Sequence, residues 1–338
     1  MSSSIPTARR AAVDRALMGA FGTTELDAAT LMTGGLSGAG LYRIRVGGIG
    51  YVLRIEPPAH AFGDPARSFV CMRTAAEAFL APRIRYADPA DGVVIMDLVA
   101  QRSLALDYPG DGRALIVELA QAVRILHATP AFPPLVDYMV GMGMVIGQHL
   151  KSDLLAPSVT EAVLARYAEL AAVYRTAESD RVSSHNDLNP GNVLYDGKRL
   201  WLVDWAASFL ADRYVDLATV AGWFTTDTAG EALLLTTYFG AAPNREQRAK
   251  FHLMRQVNHV FYGMIMLNGA AAERPGVRLP DRDLSGPSLA ELALRLSTGD
   301  FGLQAWDDRV TYGKARLAAA LEGMSGPDFN QAMAEMAA

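Results

Sequence analysis

Three polar side chains, Asp187, Asn192 and Asp204, lie within the largely apolar segment HNDLNPGNVLYDGKRLWLVDW, residues 185–205. The sequence VLY, the dipeptide Asp196-Gly197 and the sequence RLWLVDW together predict a β-hairpin, because Asp-Gly tolerates the positive φ angles of a tight turn. Such a hairpin brings Asn192 and Asp204 to the same end of its two strands. The segment therefore predicts two oxygen donors side by side, although twelve positions separate them.

One carboxylate and one amide oxygen at a shared edge are typical of a magnesium site that phosphate and water complete. Asp187 precedes the hairpin in a loop that Pro190 and Gly191 keep from being helical. A carboxylate there can orient an incoming hydroxyl and accept its proton. The alternative is that the three residues are a cap, a turn residue and a partner for an arginine. Their order along the chain favours phosphoryl transfer.

The composition of the 338-residue chain is that of a globular protein, with 51% hydrophobic and 20% charged residues. Its net charge is −5 and its Lys and Arg residues are scattered, which argues against a nucleic-acid partner. Cys71 is the single cysteine, which excludes an internal disulfide and fits a reducing compartment. The N-terminal stretch lacks the apolar core of a signal peptide, and the longest apolar run, 138–147, is too short to cross a bilayer. We expect a cytoplasmic protein with no membrane partner.

The chain changes character at about residues 97 to 103. Before this point, the sequences LYRIRVGG, IGYVLRIE and GVVIMDLV predict strands, with one helix at about 66–80. After it, apolar residues recur at helical spacing. Helices are predicted over residues 112–128, 159–175, 229–240, 245–270, 288–297 and 308–323. A strand-rich first third therefore precedes two helical thirds that carry one hairpin.

The pattern His185-x-Asp187-x-x-x-x-Asn192, followed by Asp204, resembles the catalytic loop and metal-binding aspartate of the protein-kinase-like fold. HNDLNPGNVLYDG, LVDW and the later DLA at 216–218 resemble the aminoglycoside phosphotransferase and choline kinase superfamily, and are closest in appearance to bacterial choline/ethanolamine kinase-like members. The resemblance covers roughly residues 28–270. It implies an α+β, two-lobed fold: an antiparallel-sheet nucleotide-binding lobe over 1–97, and a larger, mainly helical lobe over 98–338 with the catalytic loop, metal site and acceptor pocket.

The resemblance also implies nucleotide contacts in the first lobe. The glycine-rich turn TGGLSGAGLYRI would lie against the phosphates through Gly35, Ser37 and Gly38, although such turns also serve plain hairpins. Arg54, in YVLRIE, stands where kinases carry a phosphate-pairing lysine, and its planar fork can bind two oxygens at once. Glu77 is the candidate to steady Arg54. The alternative is that Arg54 pairs with Glu56 or with solvent.

Four further residues take roles from the resemblance. Asp97 and Leu98, at the join between the lobes, would hold adenine through backbone groups. His185 would pack beneath the catalytic loop, and Asp216 would accept hydrogen bonds from the backbone of that loop. Only eleven residues separate Asp204 from Asp216, so the long activation segment of protein kinases is missing and a small-molecule acceptor is favoured.

Aromatic residues of the helical part are candidates for an acceptor pocket, because aromatic faces bind quaternary ammonium groups. The four chosen are Trp205, Tyr214, Trp223 and Tyr262. The alternative is that they are ordinary core residues, and Asp212, Asp227 and Glu231 could instead receive the amines of an aminoglycoside. We therefore expect an ATP- and Mg²⁺-dependent kinase for the hydroxyl of an amino alcohol such as choline or ethanolamine. An aminoglycoside phosphotransferase and a nucleotide-binding regulator without turnover are the alternatives.

Overall fold

The computed structural model describes residues 5–32, 38–58 and 63–337. Its contacts divide the chain into two compact units, and each unit takes two separate stretches of sequence. The first unit comprises residues 1–135 and 181–241, and the second comprises 136–180 and 242–338. No helix within the described residues combines the length and apolarity that a membrane span requires.

Every strand found in the described part of the chain belongs to the first unit. They are β1 Ala28–Leu31, β2 Gly40–Val46, β3 Ile49–Ile55, β4 Ile84–Asp88, β5 Val93–Asp97, β6 Arg181–Ser184, β7 Val193–Tyr195, β8 Leu200–Leu202 and β9 Phe209–Asp212. The first five form an antiparallel sheet in the order β1-β2-β3-β5-β4, while β6 pairs with β9 and β7 with β8. The small sheet at the start of the chain is therefore confirmed.

Twelve α-helices account for most of the remaining described residues. They are α1 Arg10–Phe21, α2 Pro65–Glu77, α3 Leu104–Asp107, α4 Gly112–His127, α5 Tyr138–Ser152, α6 Pro157–Val173, α7 Arg213–Phe224, α8 Thr228–Phe239, α9 Arg245–Glu273, α10 Leu289–Thr298, α11 Trp306–Gly323 and α12 Pro327–Ala337. In the first unit, α4 packs against α7 and α8. In the second, the long α9 packs against α5, α11 and α12. The six helices predicted from periodicity all form, with boundaries within about two or three residues.

The core of the first sheet lies between its strands and α1, because alternate side chains of β2, β3 and β5 point to the same face. Val13, Ala16 and Leu17 of α1 are fully buried there. They belong to a cluster with Tyr42, Ile44, Leu53, Val93 and Ile95. This face is closed by apolar packing, so charged residues of β3 that function in a site must project from the other face.

The hairpin predicted around Asp196-Gly197 forms between β7 and β8, with Val193 opposite Leu202, and Gly197 has the positive φ of 94° that the turn requires. The structure adds a second ribbon that the sequence did not predict. Here β6 pairs with β9 in antiparallel register, from Arg181 opposite Asp212 to Ser184 opposite Phe209. Along the chain, the loop that carries Asp187 and the β7–β8 hairpin therefore lie between the paired strands β6 and β9.

The compact units do not follow the boundary predicted between residues 97 and 98. A hydrogen bond ties the hairpin to residues before this boundary, because Leu202 N–H donates to the Leu80 carbonyl at 2.8 Å. Helix α2 also packs against the turn that follows Asp204. Asp187, Asn192 and Asp204, the predicted catalytic and metal-binding residues, consequently belong to the same compact unit as the first sheet.

Candidate active site

Side-chain amides of Asn189 and Asn192 hold the loop that carries Asp187. A turn of 3₁₀ helix, Pro190–Asn192, follows the loop, and the Asn189 side chain accepts from Gly191 N–H at 2.8 Å to begin it. Both carboxylate oxygens of Asp187 accept hydrogen bonds: Oδ1 from Asn189 Nδ2 at 3.0 Å and Oδ2 from Asn192 Nδ2 at 3.1 Å. The Asn192 amide nitrogen also donates to the Asp187 carbonyl at 2.8 Å. Asp187 is half-buried, so its carboxylate is oriented while part of it remains accessible.

Asn192 and Asp204 lie at one end of the β7–β8 hairpin, as the sequence predicts. Val203 N–H donates to the Asn192 carbonyl at 3.0 Å, so the residue before Asp204 is opposite Asn192. Asp204 adopts a left-handed conformation with φ 65°. Asn and Asp tolerate this region better than other side chains with a Cβ, and strained backbone of this kind concentrates at functional sites. The turn directs the Asp204 carboxylate back toward the first sheet.

Arg54 of β3 meets that carboxylate. Its Nη1 is 3.0 Å from Asp204 Oδ1, and its Nε is 2.7 Å from Glu56 Oε1. Arg54 and Glu56 are both almost fully buried, whereas about a quarter of the Asp204 side chain, 27%, is exposed. Burial opposes the charge on Arg54, but the carboxylates of Asp204 and Glu56 hold its pKa above the ordinary value.

The expected pair between Arg54 and Glu77 is therefore replaced by the alternative, Arg54 with Glu56. The physical reason is strand geometry: residues two apart on a strand project from the same face, so the Glu56 side chain starts beside that of Arg54. Glu77 lies in the last turn of α2 and its side chain is exposed.

A cleft of about 360 Å³ lies beside these residues, within the usual size of a ligand pocket. Arg54, Asn192 and Asp204 line its polar part, and apolar side chains line the rest, among them Leu41, Val52, Met72, Met96, Leu194 and Val203. Asp97 and Leu98 also line it. The carboxylate of Asp97 is bound by Arg85 at 2.6 Å, and the adenine contacts expected of Asp97 and Leu98 stay predictions.

The glycine-rich turn is described only in part. Gly35 and Ser37 lie outside the described residues. Gly38 has a positive φ of 71°, a conformation that glycine adopts without steric cost. Met32 and Ala39, on either side of the residues not described, both line the cleft. The predicted phosphate contacts of this turn stay predictions.

The oxygen donors at this end of the hairpin suit Mg²⁺ only when other ligands complete its coordination. Among the described residues, no group of three or more His, Cys, Asp or Glu side chains could hold a metal ion. Asp204 supplies one carboxylate. Asn192 uses its amide N–H groups on Asp187, which directs its amide oxygen away from that residue. One carboxylate and one amide oxygen fit Mg²⁺ bound mainly by nucleotide phosphates and water, which is how this ion usually binds.

Asp216, in the first turn of α7, is fully buried and holds the backbone of the catalytic loop. Its Oδ2 accepts from His185 N–H at 2.8 Å and its Oδ1 from Asn186 N–H at 2.7 Å. Asn186 is left-handed, with φ 64°. His127, at the end of α4, is also hydrogen-bonded to Asp216, with its Nε2 3.0 Å from Oδ2. Burial works against the charge on Asp216, but the hydrogen bond and charge of His127 and the neighbouring His185 hold its pKa below the usual value.

The His185 ring lies beneath the loop. Its Nε2 is 3.0 Å from the Val203 carbonyl, and the ring packs against Trp205 with centroids 4.6 Å apart. His185 has no exposed surface. This placement suits a structural role better than proton transfer to a bound substrate.

The predicted acceptor-pocket residues are mostly core residues. Trp205 and Tyr214 are each only 1% exposed, and Tyr262, in the second unit, is 5% exposed. Trp205 alone among the four also lines the cleft. Trp223 is half-buried. Burial of Tyr214 and Tyr262 fits the alternative, core packing, while an acceptor role for Trp205 and Trp223 stays a prediction.

Sequence reasoning missed two residues that support this site. His127 binds Asp216, and Arg67 of α2 donates to the carbonyls of Ala206, at 2.9 Å, and Ser208 in the segment after Asp204. Burial lowers the pKa of the Arg67 guanidinium. The role of Arg67 could have been inferred from the sequence, because this arginine lies on an otherwise apolar helix face. His127 had no such signal, because its partner is 89 positions away.

Comparison with known proteins agrees with this geometry. The sequence profile of the phosphotransferase enzyme family matches residues 30–251. No curated protein sequence matches the chain. Among solved structures, a choline/ethanolamine kinase family protein from Mesorhizobium loti is 20% identical with a TM-score of 0.63, covering 97% of this chain and 98% of that one.

Two further structures share the fold. Choline kinase LicA from Streptococcus pneumoniae is 15% identical with a TM-score of 0.59, covering 94% of this chain and 99% of its own. The aminoglycoside phosphotransferase APH(2″)-IIa, solved with gentamicin, is 13% identical with a TM-score of 0.60, covering 94% and 97%. These likenesses confirm the kinase-like α+β fold class predicted from the sequence. With a family match over about two thirds of its length, the chain belongs to the phosphotransferase enzyme family.

Proposed function

We propose that this phosphotransferase moves the γ-phosphate of ATP to the hydroxyl of a small amino alcohol such as choline or ethanolamine. The observation that carries the proposal is the convergence of Arg54, Asn192 and Asp204 at one cleft, with the Asp187 carboxylate hydrogen-bonded to Asn192. Related folds have been solved with nucleotide: LicA with AMP, and spectinomycin phosphotransferase with ADP and spectinomycin. ATP as phosphate donor is consistent with both.

In the proposed mechanism, Asp187 accepts the proton of the acceptor hydroxyl as the oxygen attacks phosphorus. Its two hydrogen-bonded oxygens fix the direction of the carboxylate, and positioning of this kind supplies much of the rate in phosphoryl transfer. Arg54 contributes positive charge beside the phosphates. Mg²⁺, held by Asp204 and Asn192 when bound with nucleotide, would neutralise phosphate charge.

The proposed acceptor class is argued from likeness in fold. Burial of Tyr214 and Tyr262 leaves little ring surface for a quaternary ammonium ligand, whereas Trp205 lines the cleft. What supports an amino alcohol is the likeness in fold to choline and ethanolamine kinases along nearly the whole chain. An aminoglycoside acceptor is the second candidate, because APH(2″)-IIa matches over a comparable length.

The test is ADP release from Mg-ATP with choline, ethanolamine, thiamine, homoserine or an aminoglycoside as acceptor. Asp187→Asn should keep ADP binding and lower kcat by about 10²- to 10⁴-fold, the usual contribution of a positioned base. Asp14→Asn, at an exposed position of α1, is the matched control and should keep full activity.

Acceptor-dependent turnover that disappears in Asp187→Asn supports the proposal and identifies the acceptor class. Stimulation by aminoglycosides alone would replace the amino alcohol by the second candidate. If Mg-ATP binds and no acceptor stimulates turnover, the amino-alcohol proposal is wrong and the alternative of a nucleotide-binding regulator gains support.

A further inference from the structure

The guanidinium of Arg54 contacts two carboxylates, each through a different part of the group. Its Nε side faces Glu56, with Nε to Oε1 at 2.7 Å and Nη2 to Oε2 at 3.5 Å. Its Nη1 faces Asp204, with 3.0 Å to Oδ1. A guanidinium has five N–H donors in a rigid plane, so fixing one edge sets the direction of the others.

Glu56 is itself firmly placed. Its N–H donates to the Gly92 carbonyl at 2.8 Å, which extends the β3–β5 pairing by one residue. Its side chain is 9% exposed, and a carboxylate buried to this degree needs a charged partner. Arg54 provides that partner from the same face of the strand.

Arg54 lines the cleft together with Asp204, whereas Glu56, which contacts Arg54, is not among the residues that line it. The edge of the guanidinium bound by Glu56 is therefore not the part that nucleotide could contact. What remains for the cleft is the Nη1 end, which already lies against the predicted metal ligand.

We propose that Glu56 is a positioning residue that clamps the Nε edge of Arg54, so that Nη1 is presented to Asp204 and to nucleotide phosphate. The inference rests on the proposed function, because it assumes that the cleft binds nucleotide. It explains why an arginine stands at position 54: a lysine carries its donors on one terminal nitrogen and cannot be held along its side while its tip points elsewhere. The clamp comes from the next same-face residue of the strand, and α2 is not needed for it.

The experiment is a double-mutant cycle of Glu56→Gln and Arg54→Met, with Mg-ADP affinity measured by calorimetry and Tm by thermal unfolding. Glu77→Gln is the matched control, because Glu77 is an exposed glutamate of the same unit. Glu56→Gln should weaken Mg-ADP binding by about tenfold in the unsubstituted chain, which corresponds to about 1.4 kcal/mol. In the Arg54→Met background, Glu56→Gln should not change the Mg-ADP affinity further. Replacing Arg54 by Lys instead of Met should not restore the affinity of the unsubstituted chain.

The Tm cycle separates positioning from a general structural role. Glu56→Gln should lower Tm when Arg54 is present, because the guanidinium loses its charged partner. It should raise Tm in the Arg54→Met background, because it removes a buried carboxylate left without its partner. Glu77→Gln should change neither affinity nor Tm.

Equal losses of affinity from Glu56→Gln in both backgrounds would overturn the inference, as would an unchanged affinity in the single variant. If Glu56→Gln lowered Tm in both backgrounds, Glu56 would have a packing role independent of Arg54, and this result would also overturn the inference. No ADP binding by the unsubstituted chain would contradict the proposed function. ADP binding that ignores Glu56 would contradict the inference alone.

Discussion

Replacing Asp216 by Asn tests how the catalytic loop is held. The carboxylate accepts from two backbone N–H groups, those of His185 and Asn186, and is hydrogen-bonded to His127. An amide of the same shape offers one oxygen and one NH2 group. At least one buried backbone N–H would then face another donor, and the other bonds would lose their charge.

The expected loss follows from these three bonds. A buried donor left without an acceptor costs about 1–3 kcal/mol, and exchanging a charged acceptor for a neutral one costs a further fraction of each remaining bond. We expect Asp216→Asn to lower the free energy of unfolding by about 3–5 kcal/mol at pH 7, as for other broken buried charge networks. Asn186 and Asp187 follow His185 directly, so kcat should fall with the stability of the loop.

The assay is urea unfolding, followed by fluorescence of the tryptophans. Asp227→Asn is the matched control, because the Asp227 side chain caps α8 by accepting from Gly230 N–H at 2.7 Å. Asn serves as a helix cap about as well as Asp, so this control should change stability by about 0.5 kcal/mol or less. Losses below about 1 kcal/mol in both variants would refute the reasoning.

The pH dependence provides a second readout for Asp216. Its pKa is lower in the folded chain than in the unfolded chain, so its contribution to stability is fully present above the unfolded value, about 3.9. The contribution is lost as pH falls through the folded value. The difference in stability between the unsubstituted chain and Asp216→Asn should therefore be constant near neutrality and shrink below about pH 4. A difference that instead grew toward acid would contradict the sign of the shift.

Three further outcomes are expected. Arg67→Met should lower the free energy of unfolding by about 3 kcal/mol, because it removes charge-assisted hydrogen bonds to two carbonyls. Arg73→Met, on the exposed side of α2, should change it by less than about 0.5 kcal/mol, and equal effects of the two substitutions in urea unfolding would contradict this. Gly263→Ala should destabilise by about 1–3 kcal/mol, because the added Cβ would lie 2.7 Å from a leucine side chain, whereas Gly269→Ala in the same helix meets open space and should raise Tm. Burial raises the pKa of the Cys71 thiol to about 12, so a thiol reagent at pH 8 should label it only after denaturant is added, and rapid labelling of the native chain would refute its burial.

Local signals made much of this site predictable. The Asp196-Gly197 turn and the apolar residues around it suffice for the β7–β8 hairpin, and the hairpin alone places Asn192 near Asp204. Helices such as α4 and α9 follow from periodicity, because their buried faces repeat every turn.

The features that sequence reasoning missed depend on residues far apart along the chain. Strand β6 is short and ends in two serines, and its partner β9 begins 25 residues after it ends, so no local pattern indicates their pairing. His127 and Asp216 meet for the same reason only in the folded chain. At Arg54 the error was different: the family pattern favoured a helix glutamate, while the two-residue spacing to Glu56 was already visible in the sequence.

The chain passes between its two compact units three times, after residues 135, 180 and 241. During synthesis, the first unit consequently lacks β6 to β9, α7 and α8 until residue 241 has left the ribosome. By then, residues 136–180 are already outside without α9, their later neighbour in the second unit. Closing such long loops is entropically costly before contacts reward it. Fragments cut at residue 97 should therefore be dependent on chaperones or insoluble, and complementation by two separately made pieces should be inefficient.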